Sequence, residues 1–532
     1  MLKGLIPELT IFLNDDGKSV QGRGFAMGSN SKEQWKHAFR MLTRSLGLHF
    51  AMIVIVLDDI QWADASSLDI MDFLISDVEN PHPLMIIGCY RSNEVDENSV
   101  LYNRIQTLQE KEEKFGFRIT DIELHNFDVN AVNTMVMTML SIDDESKTQD
   151  LSAVCLKRTL GNPFFLIEFM KMLQAEGLLD FNLGLMKWVW DVSKIEDATM
   201  STPNVVDLLQ ARMGKLSKDT QLLLQYAACL GSSFSLSTLK YVWENHALLI
   251  SEGIDANVAC VLAAVRREKL IEPCGSKELR WVHDKVQEAA LSLSDLVTPS
   301  FEFGLGVCLY SGLDGPQLEK QLFNVADLIN KGDVTERSDL SELNLQAAKK
   351  AHKMAAFQSG AHYVSSGIKL LPSDARAKHR NITLELHSLG AEMNVALGNI
   401  QVAKEYIRIV LDRKDYTPME TMRLKMTEMK ILGDVELRYS DSIDYGVQVL
   451  KEIGYSLFWR RSLVPLQALI LFRKTVKRLE NLPLDHFESI GLMKDPRQRA
   501  IINLLPTLGA VAAQATSDNI FFVILCTLRC IE

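Results

Sequence analysis

The run Met52-Ile53-Val54-Ile55-Val56-Leu57, followed at once by Asp58-Asp59, constrains this 532-residue chain more than any other feature. Six apolar residues without alternation, β-branched at 53 to 56, read as a strand buried on both faces, as in parallel sheets. Such a strand needs a crossover connection to a parallel neighbour. The sequence supplies one. Asp64 or Ser66 caps a helix whose Leu68, Met71, Leu74, Ile75 and Val78 share one face. After Pro81 and Pro83 comes a second apolar run, Leu84 to Cys89. Strand, helix, strand makes the first part of the chain α/β. A weaker strand is expected over residues 119–124, after the charged stretch 110–114. Asp58 and Asp59 then lie at the carboxyl edge of a parallel sheet, where open α/β sheets take their ligands. In nucleotide hydrolases one acid at such a place holds Mg2+ and a second orients the attacking water. An acidic strand end without chemistry is the alternative.

From Asp128 the pattern turns helical, with helices expected over 128–141, 150–160 and 163–176. Gly161-Asn162-Pro163 closes one helix and opens the next. Residues 181–191, with Trp188 and Trp190 around Val189, read as a hairpin whose tryptophans pack on one face. Helices over 205–243 break at Gly231-Ser232-Ser233, and a short strand at 280–283 precedes a helix near Asp284. A helical unit with a small β element fits a winged-helix module. Three helix hairpins follow: 342–357 with 358–371, 379–397 with 400–411, and 417–432 with 435–453. They turn at Gly398-Asn399 and Gly433-Asp434, and their first helices are spaced by 37 and 38 residues. That is close to the period of tetratricopeptide units, about 34 residues. Ala347, Ala348, Ala361 and Gly367 allow close helix contact.

Composition sets the outer limits. The hydrophobic fraction is 47%, the charged fraction 23%, and mean hydropathy is +0.02. These values exclude a mostly disordered chain and disfavour a multi-span membrane protein. Lys+Arg is 57 against Asp+Glu 68, a net charge of −11, which disfavours general binding to nucleic acid or anionic membranes. The uncharged stretch 500–517 holds Asn503, Pro506, Gly509 and Gln514, so it reads as a buried repeat helix rather than a membrane span. Eight cysteines with no C-x-x-C pair read as buried thiols of a reduced, cytoplasmic protein. The first residues make a poor signal peptide. The eleven histidines show no metal or triad spacing, and His283 beside Asp284 reads as a satisfied contact.

The segment Leu57-Asp58-Asp59-Ile60-Gln61-Trp62-Ala63-Asp64 resembles the Walker B segment of the origin-recognition-like AAA+ modules of STAND-class signal-transduction ATPases. Other segments follow in the same order. Gly88-Cys89-Tyr90-Arg91-Ser92-Asn93 is similar to that family's next core strand, and Gly161-Asn162-Pro163-Phe164-Phe165 to its lid-helix motif. Trp188-Val189-Trp190-Asp191 and Val282-His283-Asp284-Lys285 resemble later signatures, and the hairpins resemble its tetratricopeptide-like region. The resemblance implies four domains: a partial AAA+ P-loop NTPase core at 1–127, a helical lid with a short hairpin at 128–200, a winged-helix-like module at 201–297, and tetratricopeptide-like helical repeats at 298–532. It implies ATP and Mg2+ as ligands, with Asp58 on the metal and nucleotide, Asp59 positioning water, Arg91 as sensor and Pro163 at the nucleotide. It further implies a protein partner on the repeats, and it leaves a homo-oligomer open.

One departure dominates. The phosphate loop G-x-x-x-x-G-K-[ST] is missing. Gly17-Lys18-Ser19 has Phe12 where the earlier glycine belongs, and Asp15-Asp16 would repel phosphate, so it reads as a polar turn. Gly22-Arg23-Gly24 with Gly28 has the wrong spacing for a dinucleotide loop and reads as a flexible loop. The expectation is a nucleotide-dependent switch and scaffold lacking the N-terminal part of its core. One alternative is a non-catalytic repeat scaffold with a degenerate core. Another is a winged-helix transcriptional regulator, against which the acids around Arg266, Arg267, Lys269, Arg280 and Lys285 count.

Overall fold

The computed structural model describes residues 31–531 except 98, 200–204, 248–256, 276, 335, 373–378, 414, 458–463, 481–492, 494 and 516–519. The sequences Gly17-Lys18-Ser19 and Gly22-Arg23-Gly24, with Gly28, lie outside the described residues. The described chain is mostly helical with a few small sheets. It divides into two compact units, residues 1–119 with 334–532, and residues 120–333.

The N-terminal elements are α1 (Ser31–Gly47), β1 (Ile53–Leu57), α2 (Ala65–Ile75), β2 (Leu84–Gly88) and α3 (Val100–Phe115). β1 and β2 are parallel, in register from Ile53 opposite Leu84 to Leu57 opposite Gly88. Asp64 caps α2 by accepting the Ser67 N–H at 2.7 Å. Leu57 and Ile86 pack on Ile60, Leu68, Met71, Leu101 and Leu108. The opposite face differs from the expectation of two buried faces. Val56 there is 63% exposed, and Val54, Met85 and Ile87 are exposed too, because only one face of the pair is packed on this cluster. Residues 119–124 form no strand either, and Leu124 is 91% exposed. No described strand lies beside them to take their backbone groups, and β propensity alone does not hold a strand.

In the middle unit, α4 (Val129–Leu140), α5 (Gln149–Thr159), α6 (Pro163–Ala175), the hairpin β3 (Leu179–Asn182) with β4 (Lys187–Trp190), and α7 (Val192–Thr199) share one core. Val132, Leu151, Leu166, Phe169, Leu173 and Ile195 fill it, and Trp188 and Trp190 pack against it as their alternation predicts. There follow α8 (Val205–Gly214), α9 (Lys218–Cys229), β5 (Ser233–Ser235), α10 (Leu236–Val242), α11 (Val258–Arg267), β6 (Ile271–Cys274), β7 (Glu278–Trp281) and α12 (Asp284–Leu291). The strands form an antiparallel sheet in the order β5-β7-β6. Only β7 was legible in the sequence. β5 has three residues and β6 carries Glu272 and Pro273, too little for a two-residue period. The pair α13 (Pro299–Gly312) and α14 (Gly315–Asn330) belongs to this unit. Asn324 donates to the Leu230 carbonyl at 3.0 Å, and Phe301 packs on Tyr226.

Tyr226, fully buried, meets His246 at 2.7 Å from its hydroxyl to Nδ1. Burial pushes the Tyr226 phenol up, so it stays protonated. Burial holds the His246 imidazole below its ordinary range. The unfolded chain therefore takes up this proton more readily. The stability gained by keeping His246 neutral is complete above the unfolded value of about 6.5 and is lost as pH falls through the folded value. Urea unfolding is expected to show lower stability at pH 5 than at pH 7, and His246→Gln is expected to flatten that difference.

The C-terminal array comprises α15 (Ser338–Lys353), α16 (Phe357–Lys369), α17 (Arg380–Ala396), α18 (Ile400–Leu411), α19 (Met422–Lys430), α20 (Tyr439–Glu452), α21 (Val464–Glu480), α22 (Pro496–Ala515) and α23 (Ile520–Ile531). First helices start at Ser338, Arg380 and Met422, so both spacings are 42 residues (380 − 338 and 422 − 380) rather than 37 and 38. Ala347 and Ala348 are fully buried, and a Cβ on Gly367 would lie 3.1 Å from Leu386. The first turn falls at Gly398-Asn399 as expected, with Gly398 at φ +80°. The second does not fall at Gly433-Asp434. The helix runs on as a π turn, Ile431–Val435, and the chain reverses beyond it around Leu437, at φ 57°. Gly433 is instead a packing residue, where a Cβ would lie 3.2 Å from Ser442 and Val511. In α22, Leu504, Leu505, Leu508 and Val511 are buried in one cluster with Phe522 and Leu525 of α23. Among the described residues no helix is long and apolar enough to cross a membrane.

Glu392 ties three helices of this array. It accepts from Arg423 at 2.6 and 2.7 Å, and His352 Nε2 lies 3.3 Å away. Burial pushes its carboxyl up, but the hydrogen bonds from His352 and Arg423 outweigh burial and hold it below the usual range. Glu392→Gln is expected to cost about 2 kcal/mol in urea unfolding, less than a fully buried pair because both groups keep some solvent contact. The carboxylate's contribution is present above its unfolded value and is lost as pH falls through the folded one.

Candidate functional site

The carboxyl ends of β1 and β2 bring Asp58, Asp59 and Arg91 to one edge. Two backbone bonds fix this edge. The Cys89 N–H donates to the Leu57 carbonyl at 2.8 Å, and the Ile60 N–H to the Cys89 carbonyl at 3.0 Å. Gly88 leaves room for Ile60, whose Cδ1 would lie 2.8 Å from a Cβ there. The chain then turns sharply. Asp59 takes the left-handed conformation, φ 52° and ψ 42°, ahead of the 3-10 turn Ile60–Trp62. A non-glycine residue there costs about 1–2 kcal/mol, least for Asp and Asn.

Side-chain bonds hold that turn. The Asp59 N–H donates to Asp58 Oδ1 at 3.1 Å, and Gln61 Nε2 donates to Asp59 Oδ1 at 2.9 Å. Arg91 Nε lies 3.4 Å from the same Oδ1, its Nη1 donates to Glu94 at 3.2 Å, and its guanidinium lies 5.2 Å from the Trp62 ring centre. The Asp58 side chain is exposed, and Asp59 and Arg91 are partly so. Each carboxylate thus commits one oxygen, Oδ1, to the described protein. Among the described residues no cluster of three or more His, Cys, Asp or Glu side chains is arranged to hold a metal. The donor set still fits Mg2+ of the nucleotide-bound kind, which takes one or two carboxylates and completes its shell with phosphates and water.

Pro163 lies in the other compact unit, at the first turn of α6. Asn162 caps that helix by accepting the Phe165 N–H at 3.2 Å. The Phe164 ring stacks on His283, centroids 4.2 Å apart and planes 16° apart, so two motifs far apart in sequence meet. His283 Nδ1 and Asp284 Oδ1 both accept the Lys285 N–H, an arrangement that caps α12 and supports the contact reading over a catalytic dyad. Arg212 joins Glu168 of α6 at 2.6 Å to Glu268 at 3.0 Å. Sequence reasoning missed this bridge and the roles of Gln61, Trp62 and Glu94. A polar residue two positions after the acids was the available signal for Gln61. The cysteines are also less uniform than expected: Cys155, Cys229 and Cys526 are buried, while Cys89, Cys260 and Cys274 are exposed.

No family model matches the chain. It is similar to the hybrid signal transduction histidine kinase G of Dictyostelium discoideum, 25% identical over 439 residues, which are 70% of this chain and 12% of that protein. It is also similar to the peroxide stress-activated histidine kinase mak3 of Schizosaccharomyces pombe, 24% identical over 422 residues, 77% of this chain and 17% of that protein. The chain therefore spans only about an eighth to a sixth of the curated relatives it matches. Among solved structures it aligns with a STAND signal-transduction ATPase with a tetratricopeptide-repeat sensor from Pyrococcus horikoshii, at 13% identity and a TM-score of 0.39, over 95% of this chain and 72% of that one.

Proposed function

We propose that this chain is the nucleotide-responsive and partner-binding segment of a signalling protein, a partial AAA+ core of the STAND kind with a lid, a winged-helix-like module and helical repeats. One observation carries the reading: two adjacent acids and an arginine converge at the carboxyl edge of parallel strands. The matched relatives are signalling kinases, which is consistent with such a role. Asp58 would hold the Mg2+ that accompanies ATP, which would supply positive charge against the phosphates. Asp59 orients a water with its outer oxygen. Arg91, beside it, answers charge on the nucleotide. Pro163 sets the first turn of the lid helix. The repeats present their surface to a protein partner.

The sequence contains no phosphate loop, so the phosphates need backbone N–H groups and a lysine from elsewhere. Titration calorimetry of the 532-residue chain with Mg·ATP is therefore expected to give at most weak binding. Micromolar affinity would overturn this division of the site. The scaffold alternative retains the repeats and drops the chemistry; the Asp58 and Asp59 substitutions separate the two readings.

DNA reading by the β5–β7 module is not favoured. Arg280 pairs with Glu272 at 2.7 Å and Lys285 with Glu288 at 2.6 Å. Gel shifts are expected to show no salt-dependent specific complex. A complex abolished by Arg266→Ala with Arg267→Ala would favour the transcriptional reading.

A further inference from the structure

In the turn after β1, one side chain does more than brace its neighbour. Gln61 faces three groups at once. Its Nε2 donates to Asp59 Oδ1 at 2.9 Å and lies 3.4 Å from Glu94 Oε2, while its Oε1 lies 3.4 Å from the Arg91 backbone N–H. One carboxamide thus spans the ends of both strands. It uses its donor on the acid of β1 and its acceptor on the backbone beyond β2. Only a side chain with both a donor and an acceptor can do this.

The geometry points to Gln61 as the positioning residue for Asp59, a clamp that fixes the carboxylate of a left-handed aspartate against Arg91 and leaves its second oxygen outward. Asp59 is the natural object of such a clamp. Its backbone conformation is costly and its side chain is partly exposed. An unclamped carboxylate would rotate among its rotamers, and a misplacement of about 1 Å is enough to lose a positioned water. The clamp also links Asp59 to the chain just beyond β2, where Arg91 lies. A shift at one strand end is therefore felt at the other. The water-positioning role rests on the function proposed above; the clamp itself does not.

The discriminating substitutions are Gln61→Glu and Gln61→Leu. Glutamate has the size and shape of glutamine, so it preserves packing. It removes the donor and sets a third carboxylate beside Asp59 and Glu94. If Gln61 only filled space, the uncharged Gln61→Leu, of similar size, would behave as wild type.

The first measurement uses the 532-residue chain without nucleotide. The Arg91 Nε–H resonance, assigned by its loss in Arg91→Lys, reports the pair with Asp59, and Asp59→Asn marks the broken position. Both Gln61 variants are expected to move the resonance toward the Asp59→Asn position. A resonance that stays at the wild-type position in Gln61→Leu overturns the clamp. The second measurement uses the natural full-length protein and single-turnover ATP hydrolysis. Gln61→Glu is expected to slow the step at least about tenfold, with ATP affinity unchanged within twofold. Wild-type rates in Gln61→Glu overturn the positioning role. If wild-type full-length protein neither binds nor hydrolyses Mg·ATP, the positioning role falls with the switch reading, and the resonance still decides the clamp.

Discussion

Gly161→Ala is expected to destabilise the middle unit by about 3 kcal/mol or more, the range reserved for substitutions that force backbone apart. Gly161 sits at φ +77°, and a Cβ there would lie 2.1 Å from the Phe127 carbonyl oxygen and 3.0 Å from its carbonyl carbon and nitrogen. These are backbone atoms, not the end of a side chain that can swing away. The close approach also serves a bond, since the Phe127 N–H donates to the Gly161 carbonyl at 2.8 Å. Moving the chain to admit a methyl group breaks it. The preceding residue gives an internal control. Leu160 also takes the left-handed conformation, at φ 51°, and is largely exposed. Leu160→Gly removes that strain, and the expected change is a gain of about 0.5–1 kcal/mol. Urea unfolding followed by circular dichroism reads both signs in one experiment. A Gly161→Ala variant as stable as wild type would mean that α5 and α6 meet differently from the structure described.

The second large effect belongs to the site. In the natural full-length protein, Asp59→Asn is expected to slow single-turnover ATP hydrolysis by about 100-fold or more while leaving nucleotide binding largely intact. Asparagine keeps an amide oxygen for Gln61, so the turn survives, while the ion pair with Arg91 is lost. It loses the charge and the basic outer oxygen that orient water. Single-turnover conditions matter, because release of product sets the steady-state rate of many enzymes. A tenfold loss of binding with little change in the chemical step would assign Asp59 to the nucleotide rather than to water.

The sequence made the crossover unit legible because its signals reinforce one another. An apolar β-branched run, a cap at Asp64 and a second apolar run all point the same way, and β1, α2 and β2 fall there. The proximity of Asp58, Asp59 and Arg91 follows directly, since parallel strands place their ends at one edge. What lies within the turn was not legible. Gln61, Trp62 and Glu94 act through side-chain contacts across a left-handed residue, and periodicity carries no record of such contacts. The same limit hid the Phe164–His283 stack, which joins residues 119 positions apart (283 − 164). Strands β5 and β6 were hidden by their shortness. The repeat spacing was read short because the first helix begins at Ser338, ahead of 342, and the third at Met422, beyond 417.

The central claim is that the acids at the end of β1 handle the metal and the water of a nucleotide. The most direct measurement is Mg2+-dependent ATP binding, compared for Asp58→Asn and Asp59→Asn in the natural full-length protein by titration calorimetry with and without Mg2+. Asp58→Asn is expected to weaken the Mg2+-dependent part by about tenfold or more, a loss of about 1.4 kcal/mol. Asp59→Asn is expected to leave it within about threefold, under about 0.7 kcal/mol. Equal, mild effects from both would contradict the claim and reduce the pair to an acidic strand end.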